Sequence, residues 1–242
     1  MERKMEILNK LKELIDSNIM VSKVFRQMYK HTVGIYFLYK LKKQFRSQFN
    51  VILNKVVIGS EKQNIQVWPA FGTLLGLYRE GGPIEHDFDI DFGAWYKDKT
   101  LVNKLLTDLG AKVCYSFHSE ITENAFEECY ELNGCKFDVF YFTEDKNSSS
   151  FKCHDFMRHN GLTREQTIRK HGGLKVRQIT LPFAGFVPFN YQNITILMPA
   201  NTASHLEARY GSGFMTPDTK WVNSSPNPNI TDIGFEGIYH VF

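Results

Sequence analysis

Apolar and acidic residues alternate over residues 86–93, His-Asp-Phe-Asp-Ile-Asp-Phe-Gly. A period of two predicts a short strand with Phe88, Ile90 and Phe92 on one face and Asp87, Asp89 and Asp91 on the other. Upstream, residues 65–71 read as a strand. They run through Gly72-Thr73 into Leu74-Leu75-Gly76-Leu77-Tyr78-Arg79, the first turns of a helix that Glu80-Gly81-Gly82-Pro83 breaks. Downstream, Leu101, Val102, Leu105, Leu106 and Leu109 predict a helix over 99–109 stopped by Gly110, followed by a strand over 111–118. Residues 126–132 and 135–142 form a hairpin around Asn133-Gly134. Further β-rich runs cover 179–189 and 193–198. Asn201 then caps a helix through Arg209 that Gly211 closes. The tail from Pro217, rich in Pro, Asn and Ser, reads as irregular.

The N-terminal part has a helical period. Ile7, Leu8, Leu11, Leu14 and Ile15 stripe a helix over 4–16, and Phe37, Leu38, Leu41, Phe45 and Phe49 lie at helical spacing among Lys40, Lys42, Lys43 and Arg46. Residues 1–50 hold eleven Lys/Arg and four Asp/Glu, so a basic arm precedes a mildly acidic body. The arm suits an anionic membrane surface, a phosphate-rich acceptor, packing on the body or plain solvation, with packing or a partner helix favoured. The expected organisation is an N-terminal helical extension over 1–60 and a catalytic domain over 61–242. The fold class is α+β, a mixed sheet flanked by helices.

The chemistry follows from the same segments. Three crowded carboxylates repel one another unless a cation sits among them, and a hard divalent ion, Mg²⁺ or Mn²⁺, is the usual answer; a solvated acidic edge strand is the alternative. A small-residue turn entering a helix offers backbone N–H groups to phosphate, so Gly72 and Thr73, with Arg79 beyond them, are candidate phosphate-binding residues. Asp138 lies in the apolar run Phe137 to Tyr141, where a charge is costly unless compensated, and a third carboxylate beside Asp89 and Asp91 accounts for it. Strand, Gly-Thr turn, helix, loop and acidic strand together give the layout of a nucleotidyltransferase-type core.

Residues 71–93, Phe-Gly-Thr-Leu-Leu-Gly-Leu-Tyr-Arg-Glu-Gly-Gly-Pro-Ile-Glu-His-Asp-Phe-Asp-Ile-Asp-Phe-Gly, resemble the signature of the LicD/fukutin family of phosphotransferases. Lys136-Phe137-Asp138-Val139-Phe140 is similar to its strand bearing a further aspartate. Leu206-Glu-Ala-Arg-Tyr-Gly211, with Phe214-Met215-Thr216-Pro217, is similar to its C-terminal helix and the stretch after it. Phe88 departs from the pattern, since many members carry another aspartate there. The resemblance implies transfer of a phosphorylated alcohol, phosphocholine or a polyol phosphate, from a CDP-linked donor to a glycan hydroxyl. Asp89, Asp91 and Asp138 would hold the metal and carry the catalysis, with Gly72, Thr73 and Arg79 on the donor phosphates. Two other readings stand: nucleotidyl transfer from an NTP to a small molecule, protein or RNA end, and a non-catalytic glycan- or membrane-binding protein.

Bulk properties narrow the rest. With 43% hydrophobic and 23% charged residues the chain is of ordinary globular composition, and no run reaches the about 18 apolar residues that a membrane-spanning helix needs. The N-terminus reads as an amphipathic helix and not a signal peptide, so a cytoplasmic or membrane-peripheral location is expected, or the Golgi lumen if the chain is a trimmed piece of a eukaryotic protein. Asn-x-Ser/Thr triplets at Asn147, Asn193, Asn223 and Asn229 matter only in a secretory lumen. Cys114, Cys129, Cys135 and Cys153 lack zinc-ribbon spacing and read as reduced packing residues. Nucleic acid is not an expected partner, for the body has no net positive field. His-rich residues 151–178 hold no ligand-spaced pair and suit phosphate contacts or solvation.

Overall fold

A computed structural model describes residues 19–85, 87–218, 221, 223 and 226–242, with side chains from residue 39 onward. The helix expected over 4–16 lies outside the described residues. The chain forms two compact units, Met1–Gln44 and Phe45–Phe242. The first is helical over its described residues, which belong to α1 (Ile19–Lys62). Among the described residues no helix is long and apolar enough to cross a membrane.

The larger unit takes in α1 from Phe45 on. Phe45 and Phe49, two of the apolar residues read as an interfacial stripe, are buried in its core at 2% and 1% exposure. Then follow β1 (Val67–Pro69), α2 (Phe71–Arg79), β2 (Ile90–Trp95), α3 (Lys99–Asp108), β3 (Lys112–His118), β4 (Phe126–Leu132), β5 (Cys135–Asp145) and β6 (Ser150–Met157). The remainder is α4 (Arg164–His171), β7 (Leu174–Pro182), β8 (Phe186–Tyr191), β9 (Ile194–Pro199), α5 (Thr202–Tyr210) and β10 (Ile230–Val241). Eight strands make one sheet in the order β1-β2-β5-β4-β3-β10-β7-β6, and β6 also pairs with the end of β5, so the sheet curls back on itself. β2 and β5 run parallel, whereas the other paired strands are antiparallel. A separate ribbon pairs β8 with β9.

The alternation in β2 and β5 sets the two faces of the sheet. Ile90, Phe92 and Ala94 with Phe137, Val139 and Tyr141 join the buried cluster that includes Ile52, Leu53 and Val56 of α1, Leu74 and Leu77 of α2 and Val102 and Leu105 of α3. Glu128 on that side is held by the Tyr130 and Tyr141 hydroxyls, which donate to it over 2.8 and 2.7 Å. Asp91, Asp138 and Phe140 therefore face the other way. There a second cluster is built from Trp68, Trp95, Phe142, Phe151 and Phe183. Gly93 lets Trp68 lie on the sheet: a Cβ at Gly93 would come within 2.3 Å of the indole nitrogen.

The hairpin turn has left-handed Asn133 and Gly134, with φ of 53° and 72°. Cys129 is opposite Asp138 and Cys135 opposite Leu132, so the two cysteines are not paired across it, and all four cysteines are free thiols. Three expectations need correction. The acidic strand begins only at Ile90, leaving Asp87 and Asp89 on the approach to it. The tail is not irregular throughout, because β10 is a 12-residue strand bridging β3 and β7. Register shifts near Gly234 and Gly237 break its alternation, which hides it in the sequence. Asn201 stands at the N-cap of α5, but its side chain makes no capping bond and instead accepts from the Ala184 N–H at 3.1 Å.

Candidate active site

The loop, turn and strand signatures converge because α2 leads back from β1 onto β2, its antiparallel neighbour. Ala70 N–H donates to the Asp91 carbonyl at 2.9 Å, Gly72 N–H to the Asp91 Oδ2 at 3.1 Å, and Asp91 N–H to the Thr73 hydroxyl at 2.8 Å. Residues 70–73 thus grip Asp91 from three sides. Gly72 and Thr73 were expected to meet phosphate; one N–H and one hydroxyl lone pair are spent on Asp91 of β2. Thr73 lies inside α2 and does not cap it, for the N-cap is Ala70. Phe71, the first residue of α2, has a φ of 41°, a conformation costly for a bulky side chain. It places the ring against Phe140, edge to face at 4.7 Å.

Across the parallel pair, Asp91 stands beside Asp138, which stands beside Cys129 and then Tyr115 in the next two strands. Asp87, Asp89, Asp91 and Asp138 all border one cavity of about 330 Å³, together with Gly72, Glu127, Asp155 and Arg209. The three predicted carboxylates are therefore brought together, and Asp87 with them. Burial is the largest cause of their altered acidity. It raises Asp89, and it raises Asp91 well above the usual carboxylate range, with the charges of Asp89, Asp138 and Asp87 adding to the effect. Burial pushes Asp138 up to about 7, against the pull of Cys129; Asp89 adds to the rise, and Arg164 and Lys136 oppose it.

Glu127, two residues along β4 from Cys129, is raised well above its usual range by burial and then by Asp138, Asp155 and Asp91. It went unread because Phe126-Glu-Glu-Cys-Tyr-Glu-Leu looks like a strand with a solvated acidic edge, yet Glu127 is only 8% exposed. Asp155 is held by a buried two-pronged pair with Arg177, whose Nε donates at 2.9 Å. Arg79 lies elsewhere. Its guanidinium bonds Glu80 at 2.6 Å and the Phe214 carbonyl at 3.0 Å, tying residues 211–216 down over α2. It borders a neighbouring cavity of about 210 Å³ that shares Gly72, Asp87, Tyr210 and Trp221 with the first.

These residues suit a hard divalent cation. The donors are all carboxylate oxygens, the chemistry such ions take. Asp138 Oδ1 is buried with no hydrogen-bond partner among the described residues. A Cβ on Gly72 would come within 3.0 Å of Asp87 Oδ2 and 3.3 Å of Asp91 Oδ2, so the missing side chain keeps the space between those oxygens open. Among the described residues no three His, Cys, Asp or Glu side chains already converge on a single point. The carboxylates surround a cavity instead.

Residues 64–195 match the family model described as LicD/FKTN/FKRP, nucleotidyltransferase domain. Ribitol-5-phosphate transferase FKTN is 26% identical in Mus musculus and 27% identical in Homo sapiens, over 192 residues that cover 78% of this chain and 38% of the relative. The chain thus spans about two-fifths of the length of the curated relatives it matches. Among solved structures, the lincosamide antibiotic adenylyltransferase LnuA aligns over 66% of this chain and 82% of its own, with 13% identity and a TM-score of 0.39. The antibiotic-resistance factor ANT(2'')-Ia aligns over 43% and 57%, with 16% identity and a TM-score of 0.33.

Proposed function

Because the chain belongs to the LicD/FKTN/FKRP nucleotidyltransferase-domain family, we propose that it is a metal-dependent phosphotransferase. It moves a phosphorylated alcohol of the ribitol-phosphate type from a CDP-linked donor to a hydroxyl of a glycan. The observation that carries this reading is the pairing of Asp91 with Asp138 in a cavity crowded with further carboxylates.

Asp89, Asp91 and Asp138 would hold Mg²⁺ or Mn²⁺, with Asp87 beside them. A cation bound there neutralises the charge that builds on the transferring phosphoryl group and its leaving group. The chain's own residues do the positioning. Residues 70–73 fix the Asp91 backbone and one of its carboxylate oxygens, which leaves the other oxygen for the site. Asp138, beside Asp91 and with its Oδ1 unpartnered among the described residues, would complete the cation's carboxylate set or take the proton of the attacking hydroxyl. The acceptor oxygen forms a bond to the phosphorus that bears the alcohol. The bond from that phosphorus to the bridging oxygen breaks, CMP leaves, and the hydroxyl proton passes to the base.

The test is turnover. With CDP-ribitol, Mg²⁺ and a glycan acceptor, the expected products are CMP and a glycan heavier by one ribitol phosphate, read by chromatography and mass spectrometry. Release of pyrophosphate from CTP or ATP, with no CMP formed from CDP-ribitol, would assign the site to nucleotidyl transfer instead.

A further inference from the structure

Among the described residues that border the cavity, one is a cation. Arg209, in the last turn of α5, is 6% exposed and borders the same cavity as Asp87, Asp89, Asp91 and Asp138. Of its five N–H donors, one is given to the Asn223 side-chain oxygen, and its buried Nε has no partner among the described residues. Asp155, the carboxylate set to receive an arginine fork, is taken by Arg177. What surrounds Arg209 is aromatic: the ring centres of Phe71, Tyr210 and Trp221 lie 5.3, 5.4 and 5.2 Å from its guanidinium carbon.

Such contacts hold the guanidinium in place but accept none of its hydrogen bonds. A packing role leaves the buried Nε–H without an acceptor; an anion arriving from the cavity would supply one. The rings restrict the plane of the fork. Asn223 restricts its rotation, and Asn223 is itself held, donating to Asp155 at 3.3 Å and accepting through its carbonyl from Arg177 at 2.8 Å.

We propose that Arg209 is the donor-recognising cation of this site, binding the diphosphate by a two-pronged contact from its free N–H groups. Asp155, Arg177 and Asn223 are the positioning residues that aim it. This rests on the CDP-linked donor proposed above and transfers to Arg209 the phosphate contact that sequence alone assigned to Arg79, whose fork is occupied.

The experiment compares CDP with cytidine by isothermal titration in Mg²⁺ buffer, since the two probes differ only in the diphosphate. Wild-type protein is expected to prefer CDP strongly. Arg209→Met is expected to lose roughly ten- to hundred-fold in CDP affinity, the scale of a charge-assisted contact, with cytidine binding unchanged. CDP affinity at the wild-type level in folded Arg209→Met would overturn the proposal. Wild-type protein that binds neither probe would overturn the donor reading itself, a separate result. If Arg209→Met does not fold, the wild-type protein answers by NMR. The Arg209 Nε–H signal, identified by its loss in Arg209→Lys, should move on adding CDP and stay fixed with cytidine. No movement with CDP would also overturn the proposal.

Discussion

Asp91 of β2 and Asp138 of β5 are direct partners across the parallel pair, so two half-buried carboxylates stand side by side on the face of the sheet opposite the apolar cluster of α1, α2 and α3. Hydrophobic packing would not choose that arrangement, and the proposed cation site would account for it. Asp91→Asn and Asp138→Asn keep shape and remove charge. Each is expected to lower CMP release by at least about 100-fold, the scale of losing one electrostatic group in a closed site, with the circular dichroism spectrum unchanged. Activity within a few-fold of wild type in either variant would remove that residue from the chemistry.

The same crowding makes the metal-free fold sensitive to pH. Asp138 has a folded-state pKa of about 7, above its unfolded value, so between about pH 4 and 7 the native state binds the extra proton. Stability from this group is full below the unfolded pKa and is lost as pH rises to 7. Relative to wild type in chelator, Asp138→Asn should therefore gain stability across that window, by roughly 4 kcal/mol in all, and gain no more above it. Thermal melts of both proteins at stepped pH measure the difference directly.

Gly72→Ala probes the opening between Asp87 and Asp91. The new methyl group would press on Asp87 Oδ2 and Asp91 Oδ2, its nearest neighbours. Turnover and Mg²⁺ affinity should both fall by roughly ten-fold or more, an effect of displacing reacting groups, with the melting temperature nearly unchanged. A melting temperature that collapses along with activity would mean the glycine serves the fold and not the site.

Thr73 supplies the oxygen that accepts from the Asp91 N–H. Thr73→Val leaves that buried N–H unpaired at a cost of about 1–3 kcal/mol, while Thr73→Ser keeps the bond and should stay within about 1 kcal/mol of wild type. Chemical denaturation of the pair separates the hydroxyl from the methyl group.

The helix-facing pattern of β2 and β5, the Gly-Thr turn and the hairpin at Asn133 were legible because each depends on local spacing. Asp138 was legible for a different reason: a lone charge among Phe137, Val139 and Phe140 is anomalous wherever it sits. Glu127 and Arg209 were not, since their burial comes from distant segments. Glu127 is enclosed by strands on both sides, and Arg209 by Phe71, Trp221 and Asn223. The roles expected of Thr73 and Arg79 turned on unseen partners, Asp91 and the Phe214 carbonyl. The strand Ile230–Val241 escaped because glycines at 234 and 237 let it bulge, and bulges erase a period of two.

The Asp89, Asp91 and Asp138 carboxylates are proposed to bind a nucleoside diphosphate through a shared divalent cation. Titrating CDP into wild-type protein with Mg²⁺ and then with chelator measures it most directly, alongside Asp91→Asn under both conditions. Tight binding that needs Mg²⁺ is expected in the wild type, with no Mg²⁺ response in the variant. Equal CDP affinity with and without Mg²⁺ in wild-type protein would contradict it.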